Sequence, residues 1–341
     1  MTHSGPGHAL LDRAEVEAAL AVAVRAPSIH NTQPWTWRLD SHGLVLRADR
    51  SRQLAVADPD GHSLLVSCGA ALHLTEVALR GQGWQIETTL LPDAGDPDAL
   101  AMFRPRGRGE PDAEAIEDAD AALRRRSDRR PFAKRDLPPE LVEELLAATG
   151  SDGGARLHFP TQEDQRIDLA VAVSWADRVE RDDDAYTAEM NRWVRDPEVH
   201  AMADGVPVGA IPHVPADAPR RVDVPVRDFE VGVTGKLLIE RDVDENPLIA
   251  VVLTDFDNPI DHLQAGRTMM RLMIAADRRG LSTCPLSQAV DFAAFRTRVQ
   301  RVMGWVGHPQ MMLRIGYPSG PTSELVRSPR REPAAVLTVS T

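Results

Sequence analysis

Residues 26–35, Ala26-Pro27-Ser28-Ile29-His30-Asn31-Thr32-Gln33-Pro34-Trp35, follow directly on a stretch, 12–25, that reads as an amphipathic helix. Asp12 is placed to cap that helix, and Val16, Leu20 and Ala23 fall on one face. Pro27 ends it, because proline lacks the amide donor and biases its neighbour out of the helical region. The decapeptide thus opens as a rigid turn, carries short polar side chains and closes on a tryptophan. Such a loop can present backbone amides and the Asn31/Gln33 pair to a flat polar ligand.

Outward from this loop, 35–39 and 44–48 flank Ser41-His42-Gly43 and read as a hairpin, with Trp35 and Trp37 alternating as packing residues. A second helix is expected over 64–80, with Leu65, Cys68, Leu72 and Leu79 on one stripe, and then a strand over 84–91. A comparable order returns later. A helix at 138–149, a short strand at 156–159, a buried strand at 248–254, a long helix at 260–279 and a last strand at 310–315 are expected. Gly69 and Gly83 bracket one helix, and Gly266 and Gly280 bracket another at the same spacing. Between them Leu72 aligns with Met269, Val77 with Ile274 and Ala78 with Ala275. A duplicated α/β (α+β) unit follows from this weak repeat, with a pseudo-dimer inside one chain. The second half is longer. It carries a proline-rich insertion at about 181–230 that reads as a lid or wrapping arm.

The 341 residues suffice for two such units, and 43% hydrophobic with 26% charged residues is ordinary for a soluble globular protein. A net charge of −12 disfavours nucleic acid or an anionic membrane as the main partner. Cys68 and Cys284 are far apart and read as buried free thiols of a reducing compartment. There is no zinc-site spacing, phosphate loop, dinucleotide fingerprint or nucleophile elbow, so no metal is expected. No basic segment followed by an apolar core opens the chain, and no stretch nears about 18 uninterrupted apolar residues. A cytoplasmic protein is expected.

Two arginine clusters remain: Arg124-Arg125-Arg126-Ser127-Asp128-Arg129-Arg130, and Pro329-Arg330-Arg331 near the C-terminus. Each alone reads as a solvated charged stretch. If they converged they would grip a phosphorylated cofactor, because guanidinium groups bind phosphate through bidentate, charge-assisted bonds.

The loop Pro27-Ser28-Ile29-His30-Asn31, the Arg125–Arg129 segment, Arg279-Gly280-Leu281-Ser282 after a long helix, Arg330-Arg331 and Gly316-Tyr317-Pro318 occur in an order that resembles the nitroreductase family. The form is that of its FMN-binding, Acg-like branch. In that family each FMN lies at a dimer interface, one subunit giving the arginine, Gly-Leu and C-terminal basic segments and the other the proline loop. The chain resembles that dimer fused: 1–122 as a first half supplying the loop, and 123–341 as a second supplying most of the FMN site. The complementary motifs are missing from each half, so one complete site is expected.

The resemblance implies that Arg125, Arg126 and Ser127 hold the phosphate and ribityl chain, with Arg330 and Arg331 closing over the phosphate. Arg129 would face the flavin N1/O2 edge, and Pro27, Ser28, Ile29, Asn31 and Gln33 would contact the ring from the other half. Gly280 and Leu281 would pass close to N5. No catalytic side chain is required, so His30 reads as a hydrogen-bonding loop residue. The implied activity is hydride transfer from NAD(P)H to flavin and on to a small-molecule acceptor, a nitroaromatic or quinone. The alternative is a catalytically silent protein that stores FMN under its lid; a third is an interaction protein whose site has decayed. An internal dimer interface is compatible with a monomer.

Overall fold

The computed structural model describes residues 10–150, 154–213, 234–238 and 245–340. Part of the expected lid, residues 214–230, lies outside the described residues. Helix α1 (Arg13–Ala23) begins at Asp12, whose Oδ1 accepts from the Glu15 amide at 2.8 Å. Strands β1 (Trp35–Asp40) and β2 (Gly43–Ala48) form the expected hairpin, with Asp40 opposite Gly43. Next come α2 (His62–Gly81), β3 (Trp84–Leu90) and β4 (Ala99–Arg108). Helix α3 (Ala113–Arg124) leads into a second run of α4 (Pro139–Thr149), β5 (Ala155–His158), α5 (Glu163–Arg181) and α6 (Asp184–Asn191). The insertion then forms two short parallel pairs, β6 (Val194–Arg195) with β7 (Val206–Pro207) and β8 (Pro212–His213) with β9 (Leu237–Leu238). It is followed by β10 (Leu248–Thr254), α7 (Pro259–Arg278), β11 (Ser282–Leu286), α8 (Ala293–Val302) and β12 (His308–Gly316). A short α9 (Pro333–Val336) and β13 (Leu337–Val339) end the chain.

The fold is mixed α/β, with two main sheets. One has the order β13-β1-β2-β4-β3 and the other β11-β12-β10-β5. Reading β1-β2-β4-β3 against β5-β10-β12-β11 gives the same order twice, with every neighbouring pair antiparallel. In each run the long helix, α2 or α7, connects the second strand to the third in sequence. The C-terminal β13 crosses back and pairs in parallel with β1, Trp37 opposite Leu337. The last residues of the second run are therefore tied to the first sheet.

Burial follows the strand period of two. On β10, Ala250 and Val252 enter the large core around α2 and α7, whereas Ile249, Val251 and Leu253 face the core under α5 and α8. Both faces are covered, which is why this strand is apolar throughout. On β1 only Trp35, Trp37 and Leu39 are buried and their neighbours are half-exposed. Helix α2 is long and apolar enough to cross a membrane, yet its apolar stretch is buried throughout as part of the core, and only Arg80 near its end is exposed.

Helices α2 and α7 cross backbone to backbone at the two glycines the repeat singled out. A Cβ on Gly69 would lie 2.1 Å from the Leu263 carbonyl oxygen, and one on Gly266 would lie 2.0 Å from that of Val66. Leu263 and Val66 are each three residues before the opposite glycine, so the contact is symmetric. At the far ends of these helices, Gly83 and Gly280 both adopt positive φ, +87° and +70°.

Outside the insertion, β4, α5, β11, α8 and the C-terminal α9 and β13 were not expected from the sequence. Pro105 and Gly107 interrupt β4, but that portion pairs only with β3, beyond the end of β2, where a missing donor is tolerated. Pro285 disguises β11 in the same way, as a residue of an edge strand.

Two outcomes follow. Gly69→Ala and Gly266→Ala should each cost roughly 3 kcal/mol or more by forcing the helices apart, whereas Gly280→Ala, with nothing within 4 Å of its Cβ, should cost only about 1 kcal/mol of backbone strain. Chemical denaturation of the three variants measures this, and equal losses would remove the crossing from its central role. The second concerns His62, whose Nε2 lies 2.7 Å from Gln310 Oε1 across the two runs. Burial first, then the neighbouring His262 and Arg296, push its pKa from 6.5 down to about 3. The unfolded chain therefore takes up this proton first, so the stability it confers is complete above about pH 6.5 and drains away toward about pH 3. Asp58, pushed up to about 7 by burial, works in the opposite direction. His62→Gln should flatten the acid limb of stability by about 1.4 kcal/mol per pH unit relative to the parent, read from denaturation midpoints across that window.

Candidate cofactor site

A cavity opens where the two runs meet, walled by Pro27 to His30, by Ser63, Val66 and Ser67 of α2, by Ser127 and Arg129, and by Cys284 and Pro285 of β11. Met269 and Met311 add apolar surface. The loop leaving α1 is held in an unusual shape: His30, Asn31 and Gln33 have φ of +45°, +56° and +52°. Non-glycine residues in this region are strained by roughly 1–2 kcal/mol each, so other contacts must hold them there. The Ile29 amide donates to Ser67 Oγ at 3.1 Å, and the Gln33 amide to Ser28 Oγ at 2.9 Å.

Asn31 and Gln33 fasten the loop to distant chain. Asn31 Nδ2 donates to the carbonyls of Gly205 (2.8 Å) and Pro329 (3.0 Å), and Gln33 Nε2 to that of Ala203 (2.9 Å). Gln33 Oε1 accepts from the Arg331 amide at 2.8 Å. Neither side chain lines the cavity. Asn31 Oδ1 is nonetheless buried without a hydrogen-bond partner among the described residues.

The facing wall is an extended segment after α3. Ser127 bridges Thr283, and the Asp128 amide donates to the Thr283 carbonyl at 3.0 Å. Ser127 and Arg129 therefore turn to the cavity, while the fully buried Asp128 turns away to Arg130 (2.8 Å) and Ser282 (3.1 Å). The apparent basic run is thus divided by strand alternation. Arg130 is neutralised by Asp128, and Arg124 pairs with Asp277 at 2.9 Å. Arg129 Nη1 donates to the Ala210 carbonyl of the insertion at 3.3 Å.

Next to the cavity, Arg25, Arg125, Arg126, Arg327 and Arg330 converge, and none of the five forms an ion pair among the described residues. They lean on backbone carbonyls instead. Arg125 Nη2 reaches Arg25 O (3.1 Å), Arg330 Nη2 reaches Ala26 O (3.1 Å), and Arg327 Nη2 reaches Leu123 O (2.7 Å). Buried nitrogens stay without partners: Nε of Arg25, Arg125, Arg126 and Arg330, and Nη1 of Arg125. Burial, then the charges of Arg327 and Arg126, pushes Arg25 down to about 10. Burial, then Arg25, pushes Arg125 down to about 10. Arg330 falls well below the usual guanidinium range for the same causes, burial and then Arg25 and Arg125. Buried like charges with unused donors are costly alone and suited to an anion of several oxygens.

Of the residues expected from the sequence, Pro27, Ser28, Ile29, Ser127 and Arg129 line the cavity, and Arg125, Arg126 and Arg330 form the cluster beside it. Arg331 does not join them; it donates to Trp35 O at 3.3 Å and lies 3.7 Å from Asp49. Gly280 and Leu281 close α7, their amides donating to Asp277 O and Ala276 O, and the wall begins further along at Cys284. Arg25 and Arg327 were missed. Arg25 directly precedes the proline loop, and Arg327 sits three residues before Arg330, so position relative to known motifs was the only available signal. The donor set fits FMN: unused guanidinium nitrogens for a phosphate, serine hydroxyls for a polyol, and proline, valine and methionine surface for a ring.

Residues 122–317 match the model of the nitroreductase family. A Mycobacterium tuberculosis protein provisionally named an NAD(P)H nitroreductase is 34% identical over 327 residues, 96% of this chain and 92% of its own length. The product named acg in the same organism, also provisionally an NAD(P)H nitroreductase, is 31% identical over 311 residues, 88% of each chain. Among solved structures, NfrA2 of B. megaterium is 12% identical and covers 63% of this chain and 70% of its own, with a TM-score of 0.38.

The arginine cluster, with no ion pair among the described residues, predicts that inorganic phosphate raises the melting temperature of flavin-free protein more than chloride does at equal ionic strength. The folded-state cost of protonated Arg25 and Arg125 is present in full below about pH 10 and is relieved as pH climbs through that value, so the phosphate gain should shrink there. Thermal melts in the two anions test this; an identical response to both would contradict an oxyanion site.

Proposed function

The chain belongs to the nitroreductase family, and from that premise we propose that it is an FMN-dependent oxidoreductase with one flavin in a site built from both halves. What carries this reading is the set of five converging arginines with no ion pair among the described residues, set beside a cavity shared by the proline loop and the Ser127–Arg129 wall. The division into 1–122 and 123–341 as fused, homologous subunits is supported by the twice-repeated strand order. The site is then complete within one chain.

Arg125 and Arg330, with Arg25, Arg126 and Arg327, hold the phosphate. Ser127 takes the ribityl chain. Pro27, Ser28 and Ile29 border the ring from the first half, and Asn31 and Gln33, bonded to Gly205, Pro329 and Ala203, keep that loop in place. Arg129 sets a fixed positive charge at the N1/O2 edge, which favours the negative charge gained there on reduction. Gly280 and Leu281 set the course of β11 along the wall. The chemistry supplied when FMN is bound is hydride transfer at N5, from NADH or NADPH and on to a nitroaromatic or quinone.

One observation favours a second reading, a flavin-holding protein without turnover. The insertion is bonded to both walls of the cavity, through Gly205 and Ala203 to the loop and through Ala210 to Arg129. A fixed cover there would exclude nicotinamide.

The deciding measurement is an anaerobic visible spectrum of the FMN-loaded protein before and after NADPH and then NADH. Bleaching that reverses with menadione or a nitroaromatic supports the reductase; a band reduced only by dithionite supports the holding protein. Arg125→Ala should weaken FMN binding by about 10- to 100-fold with the fold intact, and Asn31→Ala should weaken the same single flavin. Full stoichiometric FMN retention in both variants would sink the shared site.

A further inference from the structure

Behind the cavity, and not part of its lining, sits the buried carboxylate of Asp291. It holds one hydroxyl from each half of the chain. Ser63 Oγ of α2 donates to Asp291 Oδ1 at 2.9 Å, and Ser287 Oγ, just past β11, donates to Oδ2 at 3.2 Å. Both serines line the cavity. Their surroundings are fixed as well. The Ser63 amide donates to Asp58 Oδ1 at 2.9 Å, and Arg296 Nη1 donates to the carbonyls of Val290 (3.1 Å) and Asp291 (3.4 Å).

A serine hydroxyl has one hydrogen and two lone pairs, and an ionised carboxylate only accepts. Each hydroxyl therefore commits its hydrogen to Asp291 and turns lone pairs alone toward the cavity. The rival acceptor for Ser63, His62 Nδ1 at 3.5 Å, is farther away and uncharged. Ser67, one turn along α2, differs: its Oγ donates to the Ser63 carbonyl at 2.6 Å and accepts from the Ile29 amide. The Ser63–Ser287 pair thus recognises an N–H or O–H donor and repels a carbonyl or nitro oxygen.

Position along the wall selects the donor. Ser127 pairs in parallel with Thr283, so 127–129 and 283–285 run side by side, and Ser287 lies two residues beyond the level of Arg129. On the flavin reading above, Ser127 meets the ribityl chain and Arg129 the N1/O2 edge. The next nitrogen round the pyrimidine from that edge is N3, which carries the one N–H of the oxidised ring. We propose that Ser63 and Ser287, oriented by Asp291, accept the imide N3–H of the flavin. Asp291 is then a positioning residue that makes the site select for a ring carrying that hydrogen. This assignment rests on the flavin reading and adds a contact from α2 to it.

Fluorescence titration of the flavin-free full chain with FMN and with N3-methyl-FMN tests it. The parent should bind FMN at least about tenfold tighter, because the methyl group removes the donor and leaves two acceptors unmet. Asp291→Asn changes no volume at the cavity. Its amide offers one oxygen and one NH2, so one serine accepts from that NH2 and turns its own hydrogen toward the imide. The preference for FMN should then fall to within about threefold, through weaker FMN binding. A wall that fits the ring by shape alone would keep the parent's preference in this variant. Ser287 is only half-buried, so Ser287→Ala gives a second reading that leaves the packing around Asp291 in place, with the preference falling at least about threefold. Equal binding of the two flavins by the parent overturns the assignment. So does a preference that survives Asp291→Asn or, should that variant not fold, one that survives Ser287→Ala. Failure of the parent to bind either flavin overturns the cofactor reading itself, and this assignment with it.

Discussion

Everything near the cavity depends on how closely α2 approaches α7. At Gly69 and Gly266 the separation is set by backbone atoms, since a single methyl group on either residue would overlap a carbonyl oxygen of the other helix. That contact fixes where the N-terminal turns of α2 present Ser63, Val66 and Ser67 relative to Met269 of α7. The loop after α1 takes its position from the same helix, because the Ile29 amide is bonded to Ser67. Well-packed interiors deform little, so a change in the crossing is transmitted to the cavity rather than absorbed.

The strained loop and the arginine cluster belong to one construction. Arg25 and Ala26 offer their carbonyls to Arg125 and Arg330, and the next residues of the chain line the cavity. The loop's left-handed residues are held by bonds from the insertion and from the C-terminal tail, through Gly205 and Pro329. That tail is in turn tethered by β13 to the first sheet. Three distant stretches of chain, at 25, 125–126 and 327–330, must dock before the five guanidinium groups meet, so the site assembles late in the fold. A protein of net charge −12 thereby holds a local concentration of positive charge.

The elements legible in the sequence were those whose pattern is local: the capped α1, the hairpin, the two long helices with their glycines, and the apolar β10. The proline loop also announced itself, because its turn makers lie in ten consecutive residues. What stayed hidden depended on neighbours. Pro105 in β4 and Pro285 in β11 look like breakers until the strand order shows that neither needs a second donor row. The contiguous run Arg124–Arg130 looked like one basic patch, yet alternation sends Arg130 to Asp128 and Arg129 to the cavity. Arg331 was grouped with Arg330 by adjacency, and the backbone turns the two side chains toward different partners.

Pairing separates a functional arginine from a structural one in this molecule. Arg314 is fully buried and is matched by the equally buried Glu245. Arg267 is matched by Glu76, Arg278 by Asp118, Arg279 by Glu144, and Arg296 faces Asp257. The chain has 51 acidic residues against 39 basic ones, so carboxylates are in surplus. Against that surplus, none of the five converging arginines is ion-paired among the described residues, and the nearby Asp277, which acts on Arg125 and Arg126, is already bonded to Arg124. Burial alone does not explain them either, since Arg314 is more deeply buried and is compensated. The proposed flavin site accounts for them: the phosphate of FMN would supply the compensating charge, its oxygens taking up the Nε and Nη1 donors left unused among the described residues.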